Sequence, residues 1–288
     1  PVSVALFSVH ASMPPITVIV PANNEARYIG TCLRALAGQD RHAGPMRIIV
    51  SANACPAGTE EAVAALVPDF RARGHELICI SSPEPGKLQS INRAERGLPP
   101  GSRVYLDADV TCDPELIGQL RQALDGDLPR YATGTLAVVR AQSAFTRAYA
   151  RFWQELPFVR DGAVGAGLFA VNAAGRARWQ EFPAIISDDT FTRLHFTPDE
   201  RIETPARYHW PMIEGLGPLI RVRRRQDAGV HQLRRLFPAL LANERKTPLT
   251  LGRLARLALR DPVGFAAYMT VHLAVRFRSS GTEWSRGR

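Results

Sequence analysis

The sequence predicts an α/β fold with a doubly wound, mostly parallel sheet flanked by helices. Two observations lead to this prediction: β-branched runs without polar alternation, and segments of helical periodicity that follow them in regular order through the first half of the chain. Strands buried on both faces form continuous apolar runs. A β-α-β-α order is typical of parallel sheets whose strands are joined by crossover helices.

The predicted elements begin at residue 16. The predicted strands are 16–20, 47–50, 76–80, 104–106 and 168–171. The predicted helices begin near Ala26, at Thr59, at Lys87 and after Asp113. Pro21 is expected to end the first strand, because proline donates no hydrogen bond to a sheet. Asp113 is expected to cap its helix, with proline and glutamate following it in the first turn.

The composition excludes several classes of protein. The chain has 288 residues, of which 45% are hydrophobic and 22% charged, and this rules out disordered, collagen-like and coiled-coil proteins. Four cysteines stand far apart without a C-x-x-C pair, which argues against a zinc ribbon or a disulfide framework and favours a reducing compartment. We therefore expect a cytoplasmic protein, and no apolar run is long enough to span a bilayer.

The positive charge is concentrated at one end of the chain. The formal net charge is +9, but residues 221–288 contain 15 basic and 4 acidic side chains, so the preceding part is slightly acidic. We predict a basic helical extension at 221–288 that contacts phosphate, whether of nucleic acid, of a nucleotide or of lipid head groups. Residues 1–15 are expected to form a flexible lead-in.

Polar residues follow three of the predicted strands. These residues are Asn23, Glu25, Asn53, Asp107 and Asp109, and Pro21 and Ala22 directly precede Asn23. Ligands bind at the carboxyl ends of parallel strands, so we expect these residues to border one crevice. For each position taken alone, a loop or helix-capping role is the alternative, since Asn and Asp favour both.

The sequence Asp107-Ala108-Asp109 predicts a metal site. Alternate residues of an extended segment point to the same side, so the two carboxylates can share a divalent cation. Oxygen ligands of this kind suit Mg²⁺ or Mn²⁺. Such an ion would also neutralise a diphosphate as it departs.

Three segments resemble family 2 glycosyltransferases. ITVIVPANNEARYIGTCLRAL resembles their opening, RIIVSANACPAGT their second strand and its loop, and PGKLQSINRAERGLPPGSRVYLDADVTCDPE their G-K…N…D-x-D segment. The resemblance extends over about residues 16–195, with the motifs in the family's order. It implies a GT-A catalytic domain at 16–220, with a nucleotide-binding half at about 16–112 and an acceptor half at about 113–220. It also implies transfer of a sugar from a nucleotide-diphosphate donor to a hydroxyl acceptor, with inversion at the anomeric carbon.

The resemblance also implies roles for individual residues. It assigns Pro21, Ala22, Asn23, Glu25 and Asn53 to the base and ribose, Lys87 to the nucleotide, Asp107 to the ribose or metal, and Asp109 to the metal. The second-strand loop often carries acidic residues in the family, whereas this loop has Ala52 and Asn53. The amide of Asn53 can both donate and accept hydrogen bonds to a base, so the identity of the base stays open.

The acceptor half contains glycines and an acidic pair. By resemblance, Gly165 and Gly167 line the acceptor site, and a tight turn that requires glycine is the alternative. Asp188 and Asp189 match the family's acidic pair, in which the second acid is the expected general base. The start of a helix would favour its ionised form. The alternative is that Ser187 or Asp188 only caps this helix.

The basic region admits several roles. Arg221 and Arg225 are predicted to hold the donor diphosphate, because guanidinium groups pair with phosphate in a two-pronged way; a solvated helix face is the alternative. Leucines among the arginines of 251–260, followed by the apolar stretch 263–275, predict an amphipathic helix pair. This pair would pack on the body or lie on an anionic membrane, where the acceptor would be lipid-linked or a polysaccharide.

Three rival functions fit the sequence less well. A nucleic-acid-binding protein would explain the basic region, but no recognition motif with interleaved aromatic residues is present, so no nucleic-acid partner is expected. A catalytically inactive scaffold would not need Asp107, Asp109 and Asp189. A nucleotidyltransferase would need a glycine-rich phosphate loop after the first strand, and this chain has none there. The oligomeric state stays open.

Overall fold

The computed structural model describes residues 14–55, 58–160, 162–245 and 247–277, and nearly all of the predicted lead-in lies outside these ranges. The strands are β1 (Ile16–Ala22), β2 (Met46–Asn53), β3 (Glu76–Ser82), β4 (Arg103–Leu106), β5 (Thr111–Cys112), β6 (Tyr131–Val138), β7 (Leu168–Val171) and β8 (Arg201–Trp210). The helices are α1 (Ile29–Ala37), α2 (Thr59–Ala64), α3 (Val67–Ala72), α4 (Lys87–Glu95), α5 (Leu116–Ala123), α6 (Ala144–Gln154), α7 (Pro157–Arg160), α8 (Ala173–Arg176), α9 (Asp188–Leu194), α10 (Leu216–Leu236), α11 (Leu251–Arg260) and α12 (Pro262–Arg276).

The eight strands of the described residues form one sheet in the order β3-β2-β1-β4-β7-β6-β8-β5. The first four positions are parallel throughout. Beyond β4 the sheet is mixed, because β7 runs antiparallel to both β4 and β6, and β5 runs antiparallel to β8. The predicted α/β fold is confirmed, and the mostly parallel character comes from the first half of the chain.

The apolar runs form strands because helices cover both faces of the sheet. Val18 and Val20 of β1 are fully buried in a cluster that includes Leu33 and Leu36 of α1. Ile19 points to the other face, where it joins Ile91 of α4 in a second cluster. Burial on both faces explains the absence of polar alternation in β1. The order β3-β2-β1-β4 also places a topological switch between β1 and β4, and their carboxyl ends meet there.

Two local predictions were wrong. β1 does not end at Pro21 but continues to Ala22, and Pro21 stands opposite Ser51 of β2. The pairing of β1 with β4 stops at Ile19, so β1 has an unpaired edge there, where proline is tolerated. Asp113 does not cap α5, which begins three residues later. Its carboxylate instead lies 2.7 Å from Nε2 of His209 and accepts a hydrogen bond from the Arg207 amide, so it fastens the start of α5 to β8.

The C-terminal helices pack on the rest of the chain. Leu257 of α11 and Val271 of α12 are buried in a third apolar cluster with Phe152 of α6. Arg151 of α6 donates two hydrogen bonds of 2.7 Å to the carboxylate of Asp261, between α11 and α12. The division at residue 221 stays a prediction, and α10 runs through that position. None of the described helices is long and apolar enough to cross a bilayer.

Candidate active site

The carboxyl ends of β1 and β2 are tied together by the Asn53 side chain. This side chain is 1% exposed, and its Nδ2 donates a 2.8 Å hydrogen bond to the carbonyl of Ala22. Its Oδ1 accepts a 3.2 Å hydrogen bond from the amide of Gly86, the residue before α4. Asn23 in turn donates to the Asn53 carbonyl. Both ends of the Asn53 amide are therefore bound to backbone, and base recognition by Asn53 stays a prediction.

Gly86 sets the position of Lys87 at the start of α4. Its φ of +139° lies outside the range that other residues adopt readily, and a Cβ there would clash with Oε1 of Gln89. The hydrogen bond from its amide to Asn53 fixes the same residue from the other side. Lys87 is thus held at a defined point beside the ends of β1, β2 and β4.

Lys87 joins the end of β4 to the start of α9. Its Nζ lies 2.8 Å from Oδ1 of Asp107, after β4, and 2.9 Å from Oδ2 of Asp188, in the first turn of α9. The Asp188 side chain is only 8% exposed, whereas those of Lys87 and Asp107 are about one-third exposed. Burial by itself lowers the pKa of the Lys87 ammonium, but the two carboxylates outweigh it and hold that pKa well above its usual value.

Asp107 and Asp109 lie together on a cleft of about 630 Å³. The amide of Asp107 donates to the carbonyl of Gly167, so the segment before β7 borders the same carboxylates. In the part of the chain that the structure describes, no three His, Cys, Asp or Glu side chains form a metal cage. Mg²⁺ and related ions are usually held by one or two carboxylates together with substrate phosphates. The aspartate pair therefore fits an ion shared with a diphosphate.

Asp189 faces the same cleft and has the properties of a base. Burial, followed by the charge of Asp188, raises the pKa of its carboxyl from 3.8 to about 6. A 2.6 Å hydrogen bond from the Thr190 amide and the charge of Lys87 act in the opposite direction. At neutral pH the group is mainly ionised, yet it is more basic than an ordinary aspartate. Ser187 makes no side-chain cap to α9.

The two predicted acceptor glycines differ in position. Both have positive φ, +64° at Gly165 and +78° at Gly167, and this backbone conformation favours glycine at both positions. Gly167 lines the cleft, and a Cβ there would stand 2.8 Å from Cδ1 of Trp210. Gly165 is not part of the cleft wall and packs against the hydroxyl of Tyr131.

The two arginines predicted to hold the diphosphate also differ in position. Arg225 lines the cleft, whereas Arg221 is exposed and is not part of the cleft wall. Pro21, Ala22, Asn23 and Glu25 lie outside the wall, at the end of β1 and in the loop that follows it.

The cleft also contains residues that no sequence motif indicated. These additional residues include Trp153, Arg193, Arg201, Trp210 and Tyr268. Trp153 and Trp210 stack with ring centroids 5.9 Å apart. Arg193 of α9 is buried and makes two hydrogen bonds with Glu244. These residues belong to α6, α9, α12 and β8, and no local motif connects them.

The fold and this cleft define an α/β enzyme of the GT-A type. The family described as Glycosyl transferase family 2 matches residues 17–180, which is more than half of the chain. The chain therefore belongs to glycosyltransferase family 2, and the predicted family, enzyme class and GT-A fold are confirmed.

Solved structures share this fold at low identity. The mannosyltransferase PcManGT from Pyrobaculum calidifontis, in complex with GDP-Man and Mn²⁺, is 22% identical, with a TM-score of 0.58, over 93% of this chain and 76% of its own. TarS 1–349 of S. aureus, in complex with UDP-GlcNAc, is 15% identical, with a TM-score of 0.51, over 91% of this chain and 82% of its own. No curated protein matches the chain.

Replacing Asn53 with alanine tests whether its amide is structural. Asn53→Ala removes the side-chain hydrogen bonds to the Ala22 carbonyl and from the Gly86 amide, so we expect the free energy of unfolding to fall by about 2 kcal/mol. Urea denaturation measures this change, and Asn23→Ala, at a partly exposed position, is the control and should cost less. Unchanged stability with loss of nucleotide binding would instead show that the Asn53 amide contacts the ligand.

Replacing Lys87 tests the electrostatics of the site. Lys87→Gln removes the positive charge that lowers the pKa of Asp189, so this carboxyl should titrate above the value of about 6 expected for the wild type. Carboxyl ¹³C NMR titration measures the change. Arg93→Gln is the control, because it removes a positive charge from the same helix at a pair with the exposed Glu84. An unchanged Asp189 titration in Lys87→Gln would show that the Lys87 charge does not act on this carboxyl.

Proposed function

We propose that this chain transfers a sugar from a nucleotide-diphosphate donor to a hydroxyl acceptor, with a divalent cation and with inversion at the anomeric carbon. The observation that carries the proposal is the meeting of two kinds of group in one cleft. Asp107 and Asp109 could bind a divalent cation, and Lys87 could bind the diphosphate. Asp189 could accept a proton. The nucleotide-sugars bound to PcManGT and TarS, and the Mn²⁺ bound to PcManGT, agree with such a donor.

The donor would lie along the carboxyl ends of β1, β2 and β4. The base and ribose contacts proposed are Pro21, Ala22, Asn23, Glu25 and Asn53, and the diphosphate contacts proposed are Lys87, Arg221 and Arg225. Arg225 has the better support of the two arginines, because it lines the cleft. Asp107 and Asp109 would hold Mn²⁺ or Mg²⁺ against the diphosphate, and this ion would neutralise the charge that develops on the leaving group.

The acceptor would enter from the side of Gly167 and Asp189, with Gly165 shaping the turn. Its hydroxyl oxygen would form a bond to the anomeric carbon while the bond from that carbon to the diphosphate oxygen breaks. Attack on the face opposite the leaving group inverts the configuration. The Asp189 carboxylate would accept the hydroxyl proton, and Asp188, held by Lys87, keeps this carboxylate basic through its charge.

A lipid-linked or polysaccharide hydroxyl is the acceptor proposed. A cytoplasmic enzyme that works at the inner face of the cell membrane would reach such a group. The amphipathic pattern of α11 supports this location. Nucleic acid is not proposed as a partner, because the basic residues do not accompany a recognition motif with interleaved aromatic residues.

Calorimetry with UDP- and GDP-sugars tests the function directly. We expect one of them to bind in the presence of Mn²⁺ and to bind much more weakly without it. Asp189→Asn should keep this donor affinity but slow transfer at least about a hundredfold, because the base is lost. The exposed Asp199, in the 3₁₀ turn before β8, provides the control Asp199→Asn.

Two outcomes would contradict the proposal. Absence of metal-dependent binding to any nucleotide-sugar would exclude the donor class. Full transfer activity in Asp189→Asn would remove Asp189 from the role of base while leaving donor binding in place.

A further inference from the structure

Exposed apolar side chains are concentrated on the last two described helices. Ten large hydrophobic side chains are exposed among the described residues, and six of them lie between residues 249 and 277. These six are Leu249, Leu251, Leu259, Val263, Leu273 and Phe277. Single exposed apolar residues need no explanation, but a concentration of this kind marks an interaction surface.

The exposed residues follow the helical repeat. On α11, Leu251, Ala255 and Leu259 are exposed at intervals of four residues, whereas Leu257 is buried against α6 and its neighbours. On α12, Val263, Ala266, Thr270 and Leu273 are exposed, as is Phe277 directly after the helix, and Ala267 and Val271 are buried. Each helix thus has one apolar stripe that packs inward and a second that faces solvent. We call the seven exposed apolar residues the outer stripe: Leu251, Ala255, Leu259, Val263, Ala266, Leu273 and Phe277.

The outer stripe is accompanied by positive charge. Arg256, Arg260 and Arg276 are exposed on the same two helices. The one acidic residue of the sequence between 251 and 277 is Asp261. Its carboxylate is held by two hydrogen bonds from Arg151, which lower its pKa, and it also accepts from the Gly264 amide. The helix pair therefore presents apolar side chains and guanidinium groups without a free acid between them.

The same helices reach the active-site cleft. Tyr268 of α12 lines the cleft wall, and so does Leu249, which is also 39% exposed. Leu249 lies two residues before Leu251, where the outer stripe begins. Leu249 and Tyr268 therefore place this region of the chain both at the exposed surface and on the cleft wall.

We propose that the outer stripe of α11 and α12 lies on the surface of an anionic lipid membrane. Amphipathic helices with an apolar face and exposed arginines bind in the plane of such surfaces, since apolar burial and attraction to anionic head groups act together. Neither helix can span the bilayer, so the contact is peripheral. Delivery of a lipid-linked acceptor to the cleft that Leu249 lines rests on the proposed glycosyl transfer, but the membrane contact does not.

Sedimentation with vesicles tests this surface. The wild-type chain should bind vesicles of phosphatidylcholine with phosphatidylglycerol, more weakly at high salt, and bind poorly to phosphatidylcholine alone. Leu251→Glu with Leu259→Glu should weaken binding more than about tenfold, because two side chains that are 85% exposed lose their apolar contact with lipid. Both positions are at the surface, so the fold should not be affected.

Two further variants separate apolar contact from charge. Leu251→Ser with Leu259→Ser removes the apolar groups without adding charge and should also weaken binding. Leu128→Glu with Val139→Glu adds the same charge at exposed apolar positions outside the outer stripe and should leave binding nearly unchanged. Arg256→Gln with Arg260→Gln should reduce the preference for phosphatidylglycerol.

Several results would overturn the proposal. The first is that the wild type does not bind vesicles. The second is that the Leu251/Leu259 variants bind vesicles as tightly as the wild type. The third is that the Leu128/Val139 control loses as much vesicle binding as the Leu251/Leu259 variants. A dimer of the wild-type chain that the Leu251/Leu259 variants abolish would show that a second copy covers the stripe. Nucleotide-sugar calorimetry on the same variants keeps the two proposals apart, because donor binding should be unchanged when vesicle binding is lost.

Discussion

The contact of one ammonium group with two carboxylates holds the candidate active site together. Lys87 lies within 2.9 Å of both Asp107, which follows β4, and Asp188, which begins α9. Several aspartates line the cleft, and Lys87 places a positive charge between two of them, Asp107 and Asp188. Like charges in a partly buried site repel each other. The two ion pairs of Lys87 therefore offset the repulsion between the aspartates on the donor side and those on the acceptor side.

This constraint depends on backbone features that carry no charge. Gly86 allows the turn into α4, and the buried amide of Asn53 holds that turn against the ends of β1 and β2. Asp189 then receives two opposing influences. Burial and Asp188 make it more basic, and Lys87 and the Thr190 amide keep it ionised near neutral pH. The pKa of Asp189 therefore depends on how α9 and α4 pack beside the ends of β1 and β2.

The sequence was informative where the signal is local. The buried strands of the first half appear as β-branched runs, and Asp107, Asp109 and Asp189 follow short motifs, so their place on one cleft edge could be predicted. The aromatic wall could not be predicted in this way, because Trp153 and Trp210 come from α6 and β8 and are brought together by the parallel pairing of β6 with β8, in which Trp210 stands opposite Val138. Asp113 was assigned to a helix cap because its partner His209 is distant in sequence.

Proton NMR of the sugar released by slow hydrolysis tests the central claim most directly, because water can replace the acceptor at the same face of the donor. The configuration at the anomeric carbon should be recorded early, before mutarotation, with the nucleotide-sugar that calorimetry identifies and Mn²⁺. Inversion places the nucleophile opposite the diphosphate, on the side proposed for Asp189. We expect the anomer opposite to that of the donor, and release of the same anomer would contradict an inverting site built on this cleft.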